Sequence, residues 1–189
     1  MFLKKYNNLP LRLGVGIVLL NSENKIFVGK RIDNPVNSWQ MPQGGVDKNE
    51  NLLNAAFREL REETGVKNVK LIKEIDTWLT YDLPKNLLGK LWNGKYRGQR
   101  QRWFVMRFIG KDEEVNVKTK NAEFKEWKWI AVDQLTNVAV DFKLQIYKKI
   151  SEELINATSR GVECRLLLDS MGSKAFLSSD LCKKIKAAG

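Results

Sequence analysis

GGVDKNENLLNAAFRELREETGV, residues 44–66, sets three glutamates, Glu59, Glu62 and Glu63, within little more than one helical turn. Like charges at that spacing repel and cost a helix stability. The rest of the chain is basic, with 33 Lys and Arg against 22 Asp and Glu, so the local acid asks for a cause. The segment reads as a helix from about Asn51 to Thr64, with Gly65 well placed as the residue past its end. At about 100° per residue, Leu53, Ala56, Phe57 and Leu60 form one core-facing stripe. Glu59, Glu62 and Glu63 share an arc of roughly 100° beside it. Hard oxygen donors preset in this way are what Mg²⁺ or Mn²⁺ requires, since these ions prefer carboxylate and water to nitrogen or sulfur. A solvated face is the commoner reason for three glutamates on a helix, and only a longer context sets it aside.

Composition bounds the setting. A chain of 189 residues with 43% hydrophobic content can bury one core. Cys164 and Cys182 both lie in the final stretch and match neither a disulfide framework nor a metal site, so reduced thiols are expected. The N-terminus lacks the apolar run of a signal peptide, and no window approaches the roughly 20 apolar residues of a membrane span. A cytoplasmic location is the resulting expectation. With no histidine in the chain, a histidine-based zinc site and Ser-His or Cys-His nucleophiles are excluded. The net charge of +11 favours polyanions without naming one. Between Tyr81 and Arg102, six cations (Lys85, Lys90, Lys95, Arg97, Arg100, Arg102) face one acid, Asp82, among Trp92, Tyr96 and glycines. Such interleaving suits ligands that carry phosphates and bases; a solvated loop explains it equally well.

VGIVLL and KIFVGK flank NSEN as a hairpin, and VKLIKEIDTWLTY, RWFVMRFIG and EWKWIAV read as further strands. A second helix begins near Asp141, a plausible N-cap, with Ile146, Tyr147, Ile150 and Leu154 on one face. Strands interspersed with two helices imply an α/β sandwich around a mostly antiparallel or mixed sheet. One domain over 1–157 is expected, followed by a tail, 158–189, broken by Ser and Gly and either loosely folded or disordered.

The context of the glutamates is long: Gly44, five residues, Glu50, seven residues, then Arg58, Glu59, Leu60, Arg61, Glu62, Glu63, Thr64, Gly65 and Val66. Seven fixed residues at roughly 7% abundance each recur by chance about once in 10⁸ starting points, which sets the solvated face aside. The pattern resembles the Nudix box, with every specified position matched. The resemblance implies the Nudix fold, an α/β/α sandwich around a mixed β-sheet, and hydrolysis of a nucleoside diphosphate linked to another moiety. By position, Glu59, Glu62 and Glu63 resemble the ligands of Mg²⁺ or Mn²⁺, with Gly44 offering its carbonyl. Glu50 and Arg58 resemble the pair that braces loop and helix.

The likeness extends from about Leu9 to Glu153 and points to one branch of the family, the bacterial RNA pyrophosphohydrolases and diadenosine polyphosphate hydrolases. RLGVGIVLLN, SWQMPQGG, WLTYDLP, LWNGKYRGQRQRWF, AEFKEWKW and FKLQIYKKI carry it. It implies a further metal ligand at Glu123, phosphate or nucleotide contacts at Arg12, Tyr81 and Lys143, a ring against a base at Phe142, and Gln43 in the same signature. The implied substrates are 5′-triphosphorylated RNA or a dinucleoside polyphosphate; a Nudix-fold RNA-binding module without turnover is the remaining reading. Glu59 is the first choice for general base and Glu123 the second.

Overall fold

The structure, a computed structural model, describes residue 6 and residues 8–33, 39–119, 122–139 and 141–158. The expected tail beyond its first residue, Thr158, both cysteines and the Asp141 side chain lie outside the described residues.

Apolar runs, nearly continuous in β1 (Leu11–Leu20) and β2 (Ile26–Arg31) and interrupted by polar residues in β5 (Val69–Asp82), β6 (Gly98–Phe108) and β7 (Phe124–Ile130), build the main strands, with short β3 (Trp39–Gln40) and β4 (Gln43–Gly45) between them. The sheet order is β3-β2-β1-β6-β5, with β4 added to β1 and β7 to β2. The Asn21–Lys25 turn joins β1 to β2 as an antiparallel hairpin. β1 and β6 run parallel over their full length, so the sheet is mixed.

Successive side chains of a strand point to opposite faces, and β1 divides the core accordingly. Val15, Ile17 and Leu19 pack with Phe104, Met106 and Phe108 under the first helix, α1 (Leu52–Thr64). Val18 and Leu20 pack with Trp103 and Val105 under Ile146, Tyr147, Ile150 and Leu154 of the last helix, α3 (Leu144–Thr158). A short helix, α2 (Leu135–Val138), precedes it on that face. The architecture is the expected α/β/α sandwich, with all four residues chosen for the apolar face of the second helix buried. That helix begins later than its sequence suggests. Residues Asp141–Lys143 form a 3₁₀ turn, and α-helical geometry starts at Leu144.

α1 keeps its expected bounds. The Asn51 side chain accepts hydrogen bonds from the N–H groups of Leu53 and Asn54, and Gly65 closes the helix in the left-handed region at φ 73°. Leu60 and Ala56 are fully buried, while Leu53 and Phe57 are half-buried against the same cluster.

Candidate active site

β4 and α1 form the floor. A Cβ on Gly44 would collide with the Glu59 carboxylate, so only glycine lets the strand pass this close to the helix. Arg58 ties the two elements together: its Nε and one Nη donate to Glu50 at 2.9 and 2.8 Å, and that same Nη donates to the Gly45 carbonyl at 2.8 Å. The Arg58 hydrogen bond holds the Glu50 carboxyl down to about 2. The second Nη of Arg58 donates to Glu59 at 2.7 Å and reaches Glu62 at 3.4 Å.

The three helix glutamates therefore differ in setting. Glu62 is exposed; Glu59 is half-buried, and burial raises its carboxyl pKa. Glu63 is 2% exposed. One of its oxygens accepts from the Gln43 N–H at 2.9 Å, and the other finds no donor. Burial, followed by the facing Glu123 carboxylate, pushes Glu63 well above the usual carboxylate range. Glu123 lies within hydrogen-bonding reach of Glu63, but two carboxylates can join only through a shared proton. Arg31 donates to the Glu123 carboxylate at 2.8 Å and to Asp33 at 2.6 Å.

Among the described residues, no three acidic side chains converge in a pose ready to hold a metal ion. Arg58 draws Glu59 one way and Arg31 draws Glu123 another, each through a guanidinium hydrogen bond. The donor set still fits a hard divalent ion: a buried carboxylate oxygen without a donor faces further carboxylates, and a cation is what would neutralise them.

Behind the acids, on the α3 face, lies a polar row inside the core. Gln101 donates to Gln99 at 3.0 Å and to the Gln43 side chain at 3.3 Å, while the Tyr81 hydroxyl donates to Gln99 at 2.7 Å. The Tyr81 ring lies 5.4 Å from that of Phe142. Tyr81 is buried, which raises its hydroxyl pKa, and the hydroxyl is taken up by Gln99. Lys143 is buried as well, donating to Gln40 Oε1 at 2.9 Å, and desolvation lowers its pKa to about 7. Arg12 sits 5.3 Å over the Trp92 ring and against Gly45. The fold thus brings Gly44, Glu59, Glu63 and Glu123 to one rim, and Arg12, Gln43, Tyr81, Phe142 and Lys143 to its inner side. Glu62 stands outside, toward solvent.

Sequence reasoning missed Arg31, Gln40, Gln99 and Gln101. GQRQRW carries the signal for the last two, since Gln at alternate positions points inward where a core strand would carry apolar residues. Nothing in KIFVGKR marks Arg31.

A mixed sheet between helical layers, with a Gly44–Glu50–Arg58–Glu59–Glu63 floor, matches the family model described as NUDIX domain over residues 10–153. The chain belongs to that family. A relative from Pelagibacter ubique (strain HTCC1062), named RNA pyrophosphohydrolase, is 63% identical over 147 residues, covering 78% of this chain and 93% of the relative. Another of that name, from Rickettsia prowazekii (strain Madrid E), is 47% identical over 149 residues, 79% of this chain and 92% of the relative. Among solved structures, the E. coli dihydroneopterin triphosphate pyrophosphohydrolase aligns with a TM-score of 0.61 at 16% identity, covering 76% of this chain and 99% of that one. A C. elegans Ap4A hydrolase in a binary complex aligns at 0.57 and 18% identity, covering 77% and 99%. At those identities the likeness concerns the fold. Among the described residues, no helix is long and apolar enough to cross a membrane.

Proposed function

We propose that the chain is a divalent-metal-dependent pyrophosphohydrolase that removes pyrophosphate from the 5′-triphosphate end of RNA and leaves a 5′-monophosphate. One observation carries the chemistry: the buried Glu63 oxygen that has no donor and faces Glu123. The relatives named RNA pyrophosphohydrolase, at 63% and 47% identity, support RNA as the substrate. Glu59, Glu62, Glu63 and Glu123, with the Gly44 carbonyl, are the residues that would hold Mg²⁺ or Mn²⁺. A divalent ion there would neutralise non-bridging phosphate oxygens and make bound water a stronger acid. Glu59, half-buried on the floor of the site, would accept the water's proton, with Glu123 the second choice. The water oxygen would bond to the α-phosphorus in line as the bond from that phosphorus to the leaving pyrophosphate breaks. Glu50 and Arg58 keep the floor in register. Arg12 and Lys143 offer charge to the phosphates, and Phe142, backed by Tyr81 and beside Gln43, offers a face to a base. This chemistry belongs in the cytoplasm.

The second reading, hydrolysis of diadenosine tetra- or pentaphosphate, would use the same Tyr81–Phe142 pair against an adenine. Turnover of 5′-triphosphorylated RNA and of diadenosine tetraphosphate, side by side with Mg²⁺ or Mn²⁺, decides between the two. RNA is expected to give the higher kcat/KM; a far higher value for the dinucleotide would sink the RNA assignment.

A further inference from the structure

The basic segment after Tyr81 splits in two once folded. Arg97 pairs with Asp82. Arg102 pairs with Glu74 at 3.0 Å and stacks with Arg100 on Trp78. In register with Val15 and Leu13, Arg102 and Arg100 continue the row that faces α1, away from Phe142. The loop 84–97 goes the other way. Its Leu87, Leu88 and Trp92 pack on the same core as Phe142, and Trp92 carries Arg12 on its ring. Tyr96 meets Trp92 edge-on at 6.3 Å. Lys85, Lys90 and Lys95 are exposed and reach no carboxylate among the described residues. Trp92 and Asn93 both hold left-handed backbone, at φ 52° and 55°. For a bulky residue this is a true outlier, of the kind kept where function over-determines the backbone.

We propose that loop 84–97 is a binding surface for the single-stranded RNA that follows the 5′-terminal phosphates, with Trp92 and Tyr96 as stacking rings and Lys85, Lys90 and Lys95 on the phosphodiesters. The inference rests on the RNA reading above and names where the body of that substrate lies. Three observations select a nucleic-acid strand. The cations have no internal acid, aromatic rings stand among them, and Arg12 makes the surface continuous with the phosphate site. Interleaved rings and cations are how proteins hold single strands without reading sequence. An acidic protein would use the charge and leave the rings idle.

The test measures binding, so it does not depend on turnover. Wild type and the triple variant Lys85→Gln, Lys90→Gln, Lys95→Gln are titrated with a 5′-monophosphorylated dinucleotide and with a 5′-monophosphorylated single strand of roughly ten nucleotides, each at several salt concentrations. The expected result is weaker binding of the longer strand alone, with the slope of log K against log[salt] flattened by about 2 for three lost contacts at about 0.7 each. Trp92→Ala should weaken the longer strand further, and Trp92→Phe should restore most of it. No change on the longer strand, or equal loss on both ligands at an unchanged melting temperature, overturns the proposal. So does displacement of the strand by polyglutamate as readily as by unlabelled RNA, which would make the loop a surface for acidic protein. If wild type binds the longer strand in this way yet releases no pyrophosphate from triphosphorylated RNA, the proposed activity fails while the surface stands.

Discussion

Glu63 is a carboxylate whose place is costly in the free chain: one oxygen bonds to the Gln43 N–H, and the other faces Glu123 without a donor. Glu63→Gln keeps the volume, leaves an oxygen for the Gln43 N–H and turns an amide donor toward Glu123. The metal-free protein should therefore melt higher than wild type while kcat falls at least ~10²-fold. Near-normal kcat in a folded variant would remove Glu63 from the metal site. Lys143 makes a separate prediction through pH. Its folded pKa, about 7, lies below the ordinary 10.5, so between those values the unfolded chain binds the extra proton. Stability contributed by this group accordingly rises as pH increases from about 7 toward 10.5. Desolvation dominates, Arg31 adds to it, and Glu63, Glu123 and Asp33 oppose it without cancelling it. In Lys143→Met that rise should vanish from denaturant-derived stabilities measured across the window; an unchanged slope would assign it to other groups.

α1 was the most legible element, because its periodicity, caps and charge pattern all specify the same thirteen residues, Leu52–Thr64. Local signals of this kind survive folding. The 3₁₀ turn at Asp141–Lys143 was not legible, since it serves the seating of Phe142 and Lys143 against Tyr81 and Gln40 rather than any local preference. The parallel pairing of β1 with β6 was likewise hidden, since partners so distant in sequence leave no mark on either strand alone. Two substitutions test how α1 serves the site. Leu60→Asp places an unpaired charge at a fully buried position and should prevent folding; a soluble, fully folded variant would show the helix phase to be wrong. Gly44→Ala should behave differently. The nearest atoms its methyl group would meet are those of the Glu59 carboxylate, the far end of a flexible side chain, so the fold should persist with a slightly lower Tm while kcat collapses as Glu59 is displaced. Wild-type activity in Gly44→Ala would mean that the Glu59 carboxylate has no fixed catalytic position.

Across the molecule, the sheet separates two apolar clusters, and the site lies at the rim where their edges meet. Acids come from α1 and from Glu123, at the start of the β7 strand, while the cations come from β1, β2 and the turn before α3. The Nudix box made the first set readable, since those residues are close in sequence; Arg31 and the glutamine row were not, since only the sheet brings them there. The outcome is a chain of net charge +11 with a small acidic focus held apart by Arg58 and Arg31. A divalent ion that binds the folded form alone must add to its stability by mass action. At roughly 100 times its Kd, Mg²⁺ or Mn²⁺ should contribute about 2.7 kcal/mol, or roughly 5–10 °C in Tm for a domain of this size. Screening alone would act otherwise: a monovalent salt of matched ionic strength weakens the Arg58 and Arg31 pairs and raises Tm little or not at all. The gain should shrink in Glu63→Gln, which starts from a higher metal-free Tm and lacks the charge that draws the ion. Melting curves of both proteins with chelator, with matched monovalent salt and with each divalent ion make the comparison. Equal shifts in the two proteins, or none in wild type, would leave the acid of α1 without its cation and return it to being a solvated face.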